Sequence, residues 1–406
     1  MRCGIEFEYL LIDTTGKEPG RVRDFSNLPF HEISEILDER PGGGDPRLAT
    51  GVIGIRRGYW YLEGDGRFDE WGRFRALAVK GVEVRTPPED DVFAAVRHLL
   101  DTERGLSRRL AAHGLGLAIN GYNPAREGYA HEPPLNGHEI RLRHMDQSYR
   151  GSLVSTLTYG PDINLSMPGW PVEKSLDAAR KLNHYGPYIV SFSLNSPFAA
   201  GRLWGGCSIR TWRRAGLRPA VILHLDPQQL HGKLPDSPLI AAARSAQEHG
   251  RIEFKAFDAL PSAELLGACA QLLVGICLDE HLPGRSETAD VPLYRRAALR
   301  GFDDGEVRRG AEEILRCSRL ALIQADRTDA ARGLGVLAQM LERRQTPAHA
   351  MVALGLRTGY PYKPGGLGAS PGACRDFCNS TGGQHEKILG DFGSRACALQ
   401  FCRACG

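Results

Sequence analysis

Residues 4–13, which read GIEFEYLLID, alternate between apolar and acidic positions near the start of the chain. Successive side chains of a β-strand point to opposite faces, so Ile5 and Phe7 would lie on one face and Glu6 and Glu8 on the other. The two carboxylates would then be about 7 Å apart along the strand. Paired acids of this kind suit a hard divalent cation, which prefers oxygen ligands. The alternative is an ordinary solvent-exposed sheet face.

Three later segments, residues 80–88, 160–168 and 251–260, show the same alternation, each with one apolar and one polar face. Their polar faces carry Glu83 and Arg85 in the first, Asp162, Asn164 and Ser166 in the second, and Arg251, Glu253 and Lys255 in the third. An ordinary solvated sheet would show Thr, Ser and Lys more often than an acid at nearly every central position. We therefore expect the four polar faces to form one surface.

Helical periodicity occupies much of the chain between and after these strands. The clearest helix is predicted over residues 91–113, where an apolar stripe ends at Gly114, and Ser262 would cap an apolar helix over residues 262–278. Further helices are predicted over residues 172–184, 306–324 and 329–344. An aromatic strand is predicted over residues 58–62, with a turn at residues 64–66. Helices would cover the apolar face of the sheet and leave its polar face as the floor of an open funnel.

The bulk composition excludes some classes of function. The chain of 406 residues carries 51 Lys and Arg against 48 Asp and Glu, a formal charge of +3. So small an excess argues against broad binding of nucleic acid or of a membrane surface. The first residues lack the apolar stretch of a signal peptide, and the apolar runs are too short to cross a bilayer. We expect a soluble, cytoplasmic protein whose polar sheet face binds Mg²⁺ and the phosphates of a nucleotide.

A series of motifs occurs in a characteristic order over residues 1–341. They are G-x-E-x-E at residues 4–8, E-x-x-T-P at 83–87, G-x-x-P at 121–124, S-P-F at 196–198, S-x-R at 208–210, E-x-K-x-x-D at 253–258 and RRAALRGFD at 295–303. This order resembles the glutamate–cysteine ligase family of the bacterial carboxylate–amine ligase type. The resemblance implies an α+β, glutamine-synthetase-like fold, in which a mainly antiparallel sheet forms an open funnel with helices on its other face.

Several positions depart from the family pattern. Asp162, Asn164 and Ser166 stand where the family has H-x-H-x-G, and Asn123 stands where it usually has His. Lys255 replaces an Arg, which keeps the charge but loses the bidentate grip on a phosphate. Leu299 also stands at a family Arg. These changes bear on which substrate fits more than on the type of reaction.

The resemblance implies an ATP- and Mg²⁺-dependent ligase that forms an amide, typically γ-glutamyl, through an acyl phosphate. The implied roles are as follows: Glu6, Glu8, Glu83 and Glu253 as metal ligands, Arg210 and Glu83 in catalysis, Arg210 and Lys255 on the phosphates, Asp162 and Asn164 in the amine or carboxylate pocket, and Arg85 on the other carboxylate of the substrate. Arg213 and Arg214 are expected in solvent. The partners would be a small carboxylate and an amine, and a homo-oligomer is compatible with this interpretation.

Two other classes of function stay open. A guanidino-kinase-like phosphotransferase would perform chemistry resembling the first half of the ligase reaction on a related fold. A non-catalytic nucleotide-binding protein on a degenerate ligase scaffold would account for the changed residues Asp162 and Asn164.

The sequence predicts a catalytic domain over residues 1–345 and a poorly ordered, Gly-, Pro- and Cys-rich tail over residues 346–406. Cys402 and Cys405 have a common zinc-ligand spacing, so a metal site in the tail is an alternative to disorder.

Overall fold

The computed structural model describes residues 1–48, 58–145, 149, 151–230 and 237–369. Its strands are β1 Arg2–Asp13, β2 Val22–Arg23, β3 Trp60–Phe68, β4 Phe74–Arg85, β5 Leu115–Ile119, β6 Pro161–Ser166, β7 Phe198–Ala199, β8 Arg202–Leu203, β9 Val221–Leu225, β10 Ile240–Ala242, β11 Arg251–Phe254 and β12 Lys363–Pro364. Its helices are α1 Phe30–Ile36, α2 Val92–Ala111, α3 Gly137–Met145, α4 Ser152–Ser155, α5 Val172–Ile189, α6 Ile209–Arg214, α7 Pro227–Leu230, α8 Ala263–Leu278, α9 Val291–Arg300, α10 Gly305–Gln324, α11 Thr328–Gly333, α12 Gly335–Arg343 and α13 Pro347–Thr358. Among these residues, no helix is both long and apolar enough to cross a lipid bilayer.

The main sheet has the order β10-β9-β11-β6-β1-β4-β3, and its strand pairs are antiparallel except for β10 and β9. The long first strand lies in the middle and pairs with β6 on one side and β4 on the other. Its last residues leave this sheet and pair with β5 and β2. The prediction of a mainly antiparallel sheet in an α+β fold is confirmed.

The two faces of β1 differ as the alternation predicts. Ile5 and Phe7 are completely buried in the core, whereas Glu6 and Glu8 are partly exposed on the other face. Helices α2 and α5 pack against the sheet, and α8 lies among α2, α5 and α10. Because it is enclosed by other helices, α8 is apolar around nearly its whole circumference. The helical layer therefore stabilises the sheet and leaves its polar face uncovered.

One predicted turn is wrong. Residues 64–66 lie within β3, which runs past the predicted end of the aromatic strand to Phe68. The strand pairing shifts register at Gly64, where an added Cβ would lie 2.2 Å from the carbonyl oxygen of Ala78. Gly64 is therefore required by a close approach of β4 at a strand irregularity and not by a turn.

Three predicted boundaries also differ. The strand predicted over residues 251–260 ends at Phe254, and the helix predicted over residues 329–344 is two short helices, α11 and α12. Residues 347–364, placed in the tail by the sequence, form α13 and then β12, which pairs with β5. The folded part thus continues past residue 345. Residues 370–406, to which the rest of the predicted disorder and the alternative metal site at Cys402 and Cys405 refer, are outside the described ranges.

Candidate active site

A cleft of about 560 Å³ lies over the polar face of the sheet. Strands β1, β3, β4, β6, β9 and β11 form its floor, and α4 and α6 contribute side chains to its walls. Of the residues predicted to form the site, the following line this cleft: Glu6, Glu8, Glu83, Arg85, Asp162, Arg210, Glu253 and Lys255. Strands that are distant in sequence therefore bring their polar side chains into one cavity.

The first acidic group, here called the Glu8 cluster, consists of Glu8, Glu63 and Glu83. Their carboxylate oxygens all lie within 4.8 Å of one another. Strand pairing explains this proximity, since Glu8 of β1 is directly opposite Glu83 of β4, and β3 pairs with the other edge of β4. Tyr61 donates a hydrogen bond to Glu83, and Lys80 forms an ion pair with Glu8. The cluster thus contains more negative charge than its neighbouring cation balances.

The pKa values in the Glu8 cluster reflect this excess. Burial, together with the charges of Glu8 and Glu6, raises the pKa of Glu63 to about 7 against the opposing effect of Lys80. Burial and the charges of Glu63, Glu6 and Glu8 raise the pKa of Glu83 well above its usual range. Burial acts in the same direction on Glu8, but the ammonium of Lys80 outweighs it and lowers the pKa of Glu8. A bound cation would relieve the repulsion among these acids.

The second group, the Glu6 cluster, consists of Glu6, Asp162 and Glu253, whose oxygens also lie within 4.8 Å of one another. Glu6 is directly opposite Asp162 of β6, and Glu253 is on the adjacent strand β11. Lys255 forms an ion pair with Asp162 and another, 2.8 Å long, with Glu253. Burial and the charges of Asp162 and Glu253 raise the pKa of Glu6.

The acids predicted as metal ligands are thus divided between two clusters, and Asp162 lies with the acids of the second. Its contact with substrate stays a prediction. Each cluster offers three carboxylates, the hard oxygen donors that Mg²⁺ and similar cations select. The crowding of like charges in the Glu8 cluster is the structural observation that fits a cation. Glu8, Glu63 and Glu83 would hold one ion, and Glu6, Asp162 and Glu253 another.

Asn164 is buried and contacts the side chain of Arg251. Its side-chain oxygen accepts a 2.6 Å hydrogen bond from Arg251, and the same guanidinium lies 3.0 Å from Nε2 of His224. His224 also lies 3.0 Å from Glu253. Asn164 therefore orients Arg251, which lines the cleft, and its predicted contact with substrate stays a prediction.

Arg210 lines the cleft, but both Nη atoms of its guanidinium donate hydrogen bonds to the main chain. Its Nη atoms donate to the main-chain oxygens of Ala256, at 2.9 Å, and Lys255, at 3.2 Å. It also lies 3.7 Å from the buried carboxylate of Asp258. These contacts hold the segment after β11 in place, so the geometry gives Arg210 a role in positioning Lys255.

Asp258 organises the wall behind Arg210. Its carboxylate accepts hydrogen bonds from the main-chain nitrogen of Asn195 and from the hydroxyls of Ser196, Ser208 and Thr211. Ser196 and Ser208 belong to the S-P-F and S-x-R motifs, Asn195 and Thr211 adjoin them, and Ser208 also caps α6. The motifs are therefore close in space because they share one buried anion.

Sequence reasoning missed several residues that line the cleft. These are Tyr61, Glu63, Lys80, Arg214, Arg218, His224 and Arg244. Glu63 was not predicted because the glycines after it resemble a turn, which ended the predicted strand at Leu62. If the strand is extended, the period of two places Glu63 on the same face as Tyr61. Arg214, expected in solvent, is four residues after Arg210, the spacing that places two side chains on one face of a helix.

The amino-acid sequence is similar to those of known proteins. Residues 2–218 match glutamate–cysteine ligase family 2. The chain is 28% identical over 138 residues to glutamate–cysteine ligase EgtA of Mycobacterium tuberculosis, a match that covers 32% of this chain and 31% of that protein. It is 24% identical over 326 residues to EgtA of Mycolicibacterium smegmatis, covering 66% of this chain and 74% of that protein.

A solved structure has the same fold. Glutamate–cysteine ligase of Francisella tularensis, crystallised in complex with AMP, superposes with a TM-score of 0.51 at 12% sequence identity. The match covers 99% of this chain and 91% of that one. The fold implied by the sequence motifs is therefore confirmed.

Proposed function

The chain belongs to glutamate–cysteine ligase family 2, and we propose that it is an ATP- and Mg²⁺-dependent carboxylate–amine ligase. The observation that carries the proposal is the pair of three-carboxylate clusters that face basic side chains across one cleft. The EgtA relatives and the AMP complex of the Francisella enzyme support a nucleotide and an amino-acid carboxylate as substrates. Glutamate and cysteine are the substrates that these names indicate.

The reaction would proceed in two steps. An oxygen of the substrate carboxylate attacks the terminal phosphorus of ATP, and ADP leaves. The amine nitrogen then attacks the acyl carbon, phosphate leaves, and the nitrogen loses a proton. Bound Mg²⁺ would neutralise phosphate charge when held by the Glu8 and Glu6 clusters.

The residues of the chain would orient the two substrates. Arg85 is directly opposite Glu6 on β4, and its guanidinium lies 5.1 Å from the ring of Tyr61, a position from which it would bind the second carboxylate of the acid substrate. Lys255 would contact a phosphate from between Asp162 and Glu253. Glu83, hydrogen-bonded by Tyr61, would complete the Glu8 cluster beside the reacting groups.

The test is release of ADP by the full-length protein from MgATP, with glutamate and a panel of amines that includes cysteine. We expect ADP formation to require the acid, the amine and a divalent cation together. ADP release that does not depend on an amine would instead indicate the phosphotransferase, and nucleotide binding without turnover would indicate the non-catalytic alternative.

Glu63→Gln is the sharpest variant for this assay. The main chain of Glu63 pairs with β4, but its side chain forms no hydrogen bond or ion pair within the described part of the chain. An amide at this position should therefore leave the fold intact while removing a proposed metal ligand. We expect a loss of turnover of at least about 100-fold, equal to roughly 2.7 kcal/mol of barrier. Glu35→Gln, the same change at an exposed position of α1, is the matched control. Equal turnover in the two variants would contradict the assignment of the Glu8 cluster.

A further inference from the structure

Three arginines recur at intervals of four on one wall of the cleft, namely Arg210, Arg214 and Arg218. Arg213, also on α6, instead lies over the ring of Tyr122 at 5.5 Å. Burial, reinforced by the positive charges of Arg210 and Arg218, lowers the pKa of Arg214. The wall therefore holds like charges close together, as the acidic clusters of the floor do.

The three arginines differ in how far the protein neutralises them. Arg210 donates to two main-chain oxygens and lies near Asp258, as described above. Arg214 has one long hydrogen bond, 3.4 Å, to the main-chain oxygen of Lys255. Within the described ranges, neither Arg214 nor Arg218 has a carboxylate at ion-pair distance. By contrast, Lys255 is paired with two acids. Of the three arginines, Arg214 and Arg218 are therefore the ones that the described residues neutralise least.

An unsatisfied hydroxyl lies in the same part of the cleft. Thr156, at the end of α4, lines the cavity and is 1% exposed, yet its Oγ1 has no hydrogen-bond partner among the described residues. The side chain of Arg218 packs next to Gly151, which begins α4, because an added Cβ at Gly151 would lie 3.1 Å from Cδ of Arg218. Buried hydroxyls are normally satisfied, so this one indicates a missing partner.

This region adjoins the Glu8 cluster. Lys80 forms its ion pair with Glu8 and also donates a 3.2 Å hydrogen bond to the main-chain oxygen of Ser155, the residue before Thr156. An anion bound at Thr156 would therefore lie close to a cation held by Glu8, Glu63 and Glu83. Two guanidinium charges and a neutral hydroxyl match a dianionic phosphoryl group better than a singly charged carboxylate.

We propose that Arg214, Arg218 and Thr156 form a subsite that binds a phosphoryl group. This proposal rests on the proposed ligase function. The sequence motifs had implied phosphate contacts for Arg210 and Lys255 instead. The subsite would take either the terminal phosphoryl of the nucleotide or the phosphoryl group after its transfer. Arg210 then serves mainly to position the wall, and Lys255 balances the Glu6 cluster and supplies an additional phosphate contact.

The test is calorimetric binding of two probes to the full-length protein, a non-hydrolysable ATP analogue with Mg²⁺ and inorganic phosphate with Mg²⁺. Arg214→Gln and Arg218→Gln should each weaken binding of the analogue by about tenfold or more, as expected for loss of a charge-assisted hydrogen bond. The matched control is Arg213→Gln on the same helix, which should leave the affinity unchanged. If inorganic phosphate is weakened as well, the subsite holds the transferred phosphoryl group, and if only the analogue is weakened, it holds the terminal phosphoryl of the nucleotide.

Thr156→Val separates binding from folding. Because the hydroxyl has no hydrogen-bond partner among the described residues, its removal breaks no hydrogen bond within them, and the melting temperature should not fall. We expect affinity for the analogue to drop about three- to tenfold. Thr158→Val is the control, since Thr158 is equally buried and its hydroxyl bonds to the main chain of Ser155.

Unchanged affinity for both probes in Arg218→Gln and Thr156→Val would overturn the subsite. Weakened binding of glutamate in these variants, with unchanged binding of the ATP analogue, would also overturn it. The same conclusion would follow if the wild-type protein bound neither probe. These measurements need no turnover, so a protein without ligase activity would still test the subsite. Conversely, a ligase whose Arg218→Gln variant keeps full affinity would refute the subsite alone.

Discussion

Two kinds of carboxylate lie within a short distance of each other in this protein. Asp258, behind the cleft wall, is fully buried and accepts hydrogen bonds from a main-chain nitrogen and three hydroxyls. The acids of the Glu8 cluster, on the cleft floor, face one another and share one lysine. The first carboxylate has fixed donors, whereas the second group has an excess of negative charge.

The difference shows that a carboxylate can stabilise the folded state in one place and be available to bind a ligand in another. Hydrogen bonds to a charged acceptor stabilise the folded state, so Asp258 joins two motifs into one wall. The backbone is shaped around it, since an added Cβ at Gly121 would lie 2.5 Å from its Oδ2. Clustered acids oppose folding, and a cation bound as proposed above would offset their repulsion.

The largest expected effect comes from breaking the satisfied group. Asp258→Ala leaves Arg210 and several buried donors without their acceptor, so the free energy of unfolding should fall by about 3–5 kcal/mol. Denaturant unfolding of this variant and of wild type measures the difference. A loss below about 1 kcal/mol would contradict the role of Asp258 as the centre of the wall.

Cation binding to the Glu8 cluster should change the free energy of unfolding. At 100 times its dissociation constant, Mg²⁺ should raise the free energy of unfolding of the wild type by about 2.7 kcal/mol. Glu63→Gln should lose most of this increase while being at least as stable as the wild type without metal, because one repelling charge is gone. Thermal unfolding with Mg²⁺ and with a chelator measures both quantities, and Glu35→Gln should behave like the wild type.

A second satisfied carboxylate, Glu139, extends the comparison to pH. Although burial opposes it, hydrogen bonds from Arg67 and from the main-chain nitrogens of Phe68 and Asn136 lower the pKa of Glu139 from 4.5 to about 2. A carboxyl whose pKa is lower in the folded state stabilises the protein above the unfolded-state value and loses this contribution as the pH falls. Glu139→Gln should therefore be less stable than the wild type by about 1–3 kcal/mol near neutral pH.

The two proteins should converge as the pH falls from about 5 to about 2, the window set by the two pKa values of Glu139. Unfolding free energies measured across this range check the prediction. A constant difference between the variant and the wild type would mean that the ionised form of Glu139 contributes nothing specific.

The smallest effect is expected at Arg213, whose guanidinium lies over Tyr122 outside the cleft. Arg213→Met should reduce the free energy of unfolding by only about 0.5–1 kcal/mol, the usual contribution of an exposed cation–π contact. Denaturant unfolding measures this change. A loss as large as that of Asp258→Ala would show that Arg213 also belongs to the buried wall.

Much of the fold followed from local patterns. The acidic face of β1 and the helix α2 lie where residue periodicity predicts them, and α8 begins after its predicted Ser262 cap. Two irregular positions were not predicted by local patterns. Gly64 lies within a strand although its sequence resembles a turn, and β11 ends after four residues. At Gly64 the approach of the neighbouring strand β4, and not the local sequence, determines the backbone.

The sequence by itself determined that acids would share one face of each strand, because the side-chain period of a strand is two and the opposite face must be buried. Only the tertiary structure decided which acids meet. The pairing of β1 with β4 and β6 places Glu8 opposite Glu83 and Glu6 opposite Asp162, so the acids form two separate clusters. Strand register depends on core packing across residues far apart in the chain, and no local pattern encodes it.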